Sequence, residues 1–127
     1  MDQAVYWLWF AGLFGRGTRL SHEMLEFYGS AKAVFEASEQ GLRQTALLTR
    51  ERIARVLRHD TDAAQRQYDE ALREGCRVLT PGDDEYPDCL RHIYAPPSAL
   101  FLRGSLAGLE ERPAIAVVGS RHSDEYG

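Results

Sequence analysis

The sequence predicts a small helical module followed by the opening of an α/β domain. Three observations carry this. Apolar residues recur at helical spacing through the first sixty positions, and after Gly75 the pattern changes to short β-branched runs between turn residues. Finally, Ala114-Ile115-Ala116-Val117-Val118 runs into Gly119-Ser120-Arg121, the junction of a strand and a phosphate-binding turn.

The elements follow in order. Val5, Leu8, Trp9 and Leu13 share one helical face, and Gly12, Gly15 and Gly17 end that helix. A second helix carries Leu20, Met24, Leu25 and Phe27 and stops at Gly29; Ser30 caps a short third one through Ala37. Thr49 caps Arg50 to Arg58, with Ile53, Val56 and Leu57 inward. Asp60-Thr61-Asp62 starts a helix to Glu74, closed by Gly75 in a left-handed cap. With Tyr68 and Leu72 among few apolar positions, it is expected to be a connector lying on a surface. Cys76 to Leu79 forms a strand, Pro81-Gly82-Asp83-Asp84 a turn, and Pro87 opens a helix through Ile93 that Pro96-Pro97 ends. Ala99 to Arg103 is a second strand, Gly104 to Arg112 a loop, and Ala114 to Val118 a third strand. The module boundary falls near residues 60–75, giving a helical domain over 1–65 and, over 66–127, a connector helix with the first strands of an α/β domain. A parallel strand without a sheet partner is unstable, so the chain is expected to be the front piece of a longer protein.

Composition narrows the function. A 44% hydrophobic and 27% charged chain is ordinary for a globular protein. The apolar run from Ala4 to Phe14 is too short to span a bilayer, and Asp2 stands where a signal peptide carries positive charge, so the cytoplasm is the expected compartment and no membrane partner is expected. Residues 1–60 carry eight basic and seven acidic side chains, while residues 61–127 carry seven and twelve. Net charge of −4 argues against indiscriminate electrostatic binding to nucleic acid, though it leaves room for a local basic pocket. Cys76 and Cys89 lack metal-ligand spacing and are expected to be buried free thiols. The four histidines form no ligand set, and no cofactor or metal is expected.

Two motifs carry chemistry. Phe14-Gly15-Arg16-Gly17-Thr18-Arg19-Leu20 has helix-hairpin-helix spacing, in which a tight glycine turn aims backbone N–H groups at a phosphate, with Arg16 and Arg19 assisting. Arg16 stands where an apolar residue usually anchors such a hairpin, and a glycine turn that only packs two helices, or docks a protein, is the alternative. Gly119-Ser120-Arg121 is the stronger signal: glycine admits close backbone approach to an anion, serine adds a donor, and Arg121 a fixed positive fork. An ordinary turn with a surface salt-bridge donor is its alternative. The dinucleotide fingerprint is absent. Arg103 admits either a guanidinium at the same sheet edge or a salt bridge to Glu110 or Glu111. Asp83-Asp84-Glu85 reads as a solvated turn before it reads as a metal site, and Trp7 and Trp9 as core before stacking platforms.

Tyr86-Pro87-x-x-Leu90-x-x-Ile93-x-x-Pro96-Pro97-x-x-Leu100-Phe101-x-Arg103-Gly104, together with Val117-Val118-Gly119-Ser120-Arg121-x-x-x-x-Tyr126-Gly127, resembles the bacterial DNA-processing protein A family (DprA, also called Smf). The helical start, with its hairpin and Phe27-Tyr28-Gly29-Ser30, is similar to that family's sterile-alpha-motif-like (SAM-like) N-terminal module. The resemblance implies a helical SAM-like domain followed by the truncated start of an extended Rossmann fold. It also implies a mediator, not an enzyme, that binds single-stranded DNA entering by natural transformation, protects it and loads the RecA recombinase. The full-length protein would be a homodimer. Gly119, Ser120 and Arg121 match the family's phosphate-contacting turn, and Tyr126 and Gly127 the start of the helix after it. Asp124 departs from the usual Ser or Thr; it is expected to cap that helix and point away from the anion. Lacking most of the sheet, this chain is expected to bind single-stranded DNA only weakly. The alternatives are a Rossmann-like nucleotide-binding enzyme or sensor, and a helical protein-docking module.

Overall fold

The computed structural model describes residues 1–122 and 124–126. Its first helix, α1 (Gln3–Phe14), is the axis of the core. Asp2 caps it by accepting from the Ala4 N–H at 2.9 Å. The sequence suggests one buried stripe, but Ala4, Val5, Trp7, Leu8, Trp9, Phe10, Ala11 and Phe14 are all buried, which needs walls on most sides. The helices that follow provide them. α2 (Arg19–Tyr28) is capped by Thr18 and ends at Gly29 with φ 85°. α3 (Ala31–Phe35) is capped by Ser30 and stops two residues short of the expected Ala37. The Phe35 ring meets Trp9 and Tyr6 edge-on, at centroid distances of 5.0 and 5.1 Å. α4 (Glu39–Gln44), capped by Ser38, was not anticipated; Leu42 alone buries it. α5 (Arg50–Leu57) is capped by Thr49 and turns Ile53 and Val56 inward.

α6 (Asp62–Arg73) corrects the expectation of a surface connector. It packs along α1, with Ala64 and Ala71 buried, and the Tyr68 hydroxyl donates to Asp2 at 3.1 Å. Alanine carries little hydropathy, yet it lets two helix backbones approach closely. The helix closes in a Schellman arrangement: Gly75 N–H to Leu72 O at 3.1 Å and Cys76 N–H to Ala71 O at 2.8 Å, with Gly75 at φ 75°.

Beyond it, β1 (Arg77–Leu79) pairs antiparallel with β2 (Leu100–Leu102), Val78 opposite Phe101. Between them lie a tight turn and α7 (Asp88–Arg91), which ends two residues before the expected Ile93. The buried Tyr86 holds this connection by donating to Pro97 O at 2.9 Å. The third strand is the main correction. Residues 114–118 form no strand, and Ile115, Val117 and Val118 are 91, 96 and 90% exposed. Their β propensity is real, but a strand exists only when a neighbour takes its ladder bonds. Trp7 and Trp9 are core residues, as expected. Both thiols are free, but Cys76 is half-buried and Cys89 exposed, because α7 is a single surface turn with no buried residue.

Candidate nucleic-acid interface

Gly119, Ser120 and Arg121 lie together on an exposed turn. Ser120 Oγ accepts from the His122 N–H at 3.1 Å, so the hydroxyl organises the turn. No atom lies within 4 Å of where a Gly119 Cβ would sit, which leaves the backbone approachable. Asp124 accepts from the Tyr126 N–H at 3.0 Å, folding its carboxylate back on its own turn. The described residues here form turns and no helix; Gly127, assigned to the start of one, lies outside the described residues.

The hairpin between α1 and α2 takes its shape from glycine. Gly15 adopts φ 86°, ψ 165°, a conformation essentially confined to glycine, and Gly17 has φ 70°. Thr18 donates to Phe14 O and accepts from the Ser21 N–H, locking the turn to both helices. Its basic residues face their own chain. The Arg16 guanidinium lies 5.6 Å over the Phe101 ring, and Arg19 pairs with Glu23 at 3.1 Å. His22 stacks on Tyr94 at 4.4 Å, so residues 94–101 flank the hairpin.

Other candidates are committed to structure. Arg103 binds the end of α6, donating to Glu74 O at 2.7 Å, instead of pairing with Glu110 or Glu111. The guanidinium satisfies an orphan carbonyl at the negative end of that helix. Asp83 accepts from the Thr80 N–H at 2.7 Å, and Glu85 holds Arg77 through two bonds of 2.9 and 2.8 Å. That pair depresses the Glu85 carboxyl below its ordinary value. A cleft of about 680 Å³ runs past these groups, lined by Asp84, Glu85, Asp88, Glu110 and Glu111 against one guanidinium, Arg77. Five carboxylates to one cation repel a phosphate. Arg55 and Arg58, which the sequence does not single out, line a second cleft beside α1. Only distance in three dimensions separates them from the other arginines of α5, so no one-dimensional signal marks them. Among the described residues no helix is long and apolar enough to cross a membrane.

The protein is thus a helical module joined to a small two-stranded sheet element, followed by an exposed Gly-Ser-Arg turn. Residues 77–127 match the family described as DNA recombination-mediator protein A. The chain is 23% identical to Protein Smf of Synechocystis sp. over 130 residues, covering 99% of this chain and 33% of that protein. It is 36% identical to DNA processing protein DprA of Bacillus subtilis over 58 residues, covering 45% of this chain and 20% of that one. These matches make the chain similar to DprA/Smf-family proteins, most specifically over residues 77–127. It spans about a third and a fifth of the length of these two relatives. No solved structure matches it significantly.

Proposed function

We propose that this chain belongs to a non-catalytic recombination mediator that binds single-stranded DNA, with Gly119, Ser120 and Arg121 holding a phosphate of the strand. The observation that carries the reading is the openness of that turn: an unobstructed glycine, a hydroxyl and an exposed guanidinium side by side, inside the segment that matches the mediator family. Arg121 clamps the phosphate by charge-assisted bonds, and the glycine lets the strand reach backbone N–H groups. Such contacts fix a backbone without reading bases, which suits a protein that must accept any incoming sequence. In this reading the complete mediator is a cytoplasmic homodimer that protects transforming DNA and hands it to RecA, with the helical module appended.

Arg121→Ala tests the site. In a titration with a labelled oligothymidylate across a salt series, losing one phosphate contact flattens the slope of log K against log salt by about 0.7. An unchanged slope and affinity refute the assignment of Arg121.

A further inference from the structure

We propose that the helical module carries its own phosphate-binding cleft, formed where the end of α5 meets α1 and α6, and that it takes the backbone of a single nucleic-acid strand. The inference rests on the reading that this protein handles single strands, and it names a site on a different domain from Gly119-Ser120-Arg121.

The cleft encloses about 250 Å³, the scale of one nucleotide's phosphate and sugar. Arg55 and Arg58 form one wall, three residues apart and therefore neighbours on the helix surface. Both are exposed, and among the described residues neither makes an ion pair, whereas Arg19, Arg43, Arg77, Arg91 and Arg103 all do. Their charges also complement the negative end of α5, but that role leaves the guanidinium donors unused. Gly12 on the α1 side has nothing within 4 Å of its would-be Cβ, so a ligand can approach the helix there. Gln67 of α6 adds an amide, and Trp9 contributes apolar floor.

The one carboxylate in the lining is Asp60, and it already accepts from the Asp62 N–H at 3.1 Å. Two guanidiniums against one engaged acid leave the cleft positive within a chain of net charge −4. The hairpin, whose glycine turn the sequence reads either as a phosphate contact or as a packing or docking turn, has its arginines on Phe101 and Glu23. Arg55 and Arg58 keep their positive charge available at this cleft.

A phosphodiester fits better than a protein carboxylate. Its oxygens are splayed tetrahedrally, so guanidiniums on adjacent helix turns can each take one. A carboxylate's two oxygens lie in one plane and suit a single fork.

The test compares the intact chain, Arg55→Gln/Arg58→Gln and Arg121→Ala by anisotropy of a labelled oligothymidylate, from 50 to 200 mM salt, with poly-glutamate as a second ligand. The double variant is expected to lose roughly 10- to 60-fold in affinity at 50 mM salt and to flatten the salt slope by about 1.4. Both residues are exposed, so unchanged circular dichroism and melting are expected alongside. Restoring charge with Arg55→Lys/Arg58→Lys recovers the slope. The proposal fails if the double variant binds like the parent, if the parent does not bind the oligonucleotide at 50 mM salt, or if the arginines matter only for poly-glutamate. A loss in Arg121→Ala alone sinks the cleft and keeps the turn; a loss in the double variant alone does the reverse.

Discussion

Replacing Gly15 by alanine tests the hairpin that joins α1 to α2. At φ 86°, ψ 165° the residue sits where an L side chain costs about 1–3 kcal/mol. The new Cβ would collide with the Cγ2 methyl of Thr18. Thr18 cannot simply rotate away, because its hydroxyl bridges Phe14 O and the Ser21 N–H, and losing that cap costs a further ~1 kcal/mol. The total is about 2–4 kcal/mol, or roughly 8–15 °C in melting temperature for a domain this size. Gly12→Ala is the control. It lies inside α1 with open space around its Cβ and should gain about 0.5–1 kcal/mol from helix propensity. Thermal and urea melts of both variants, followed by circular dichroism, decide. A Gly15→Ala protein that melts within 2 °C of the parent would show that the backbone at this turn is not held as described.

Tyr86→Phe removes the buried hydroxyl that donates to Pro97 O and strands that carbonyl, so urea denaturation should show a loss of about 1 kcal/mol or slightly more. Glu85 titrates below its ordinary 4.5 because Arg77 bonds and attracts its carboxylate. A lowered folded value means stabilisation that is complete above about pH 4.5 and is lost as pH falls through the depressed value. Urea midpoints between pH 3 and 6 should therefore fall less steeply with acid in Glu85→Gln than in the parent, and parallel profiles would remove the pair from the acid response.

Much of the helical half could be read along the chain because its punctuation is local. Ser30 and Thr49 each cap the helix they precede, and Gly29 and Gly75 end theirs with positive φ. α4 escaped because Gly41 interrupts it and Leu42 is its single buried residue, too little for periodicity to register. α6 was misplaced because its contact face is alanine, whose burial depends on a neighbour and not on its own hydropathy. Ala114–Val118 failed for the converse reason: local preference was strong, and pairing is not a local property. The same divide runs through the candidate sites. Gly119-Ser120-Arg121 is contiguous and visible as a string, whereas the pairing of Arg103 with Glu74 across 29 positions needs the fold. So does the meeting of Arg55 and Arg58 with Trp9.

That α1 is apolar on nearly every side has a consequence during synthesis. Its last wall, α6, begins 48 positions after α1 ends, an interval of about 2–10 s at ordinary translation speeds. Throughout it a greasy rod with two indoles and two phenyl rings is outside the ribosome without its lid. Nascent chains of this protein should be clients for whichever chaperone waits at the exit tunnel.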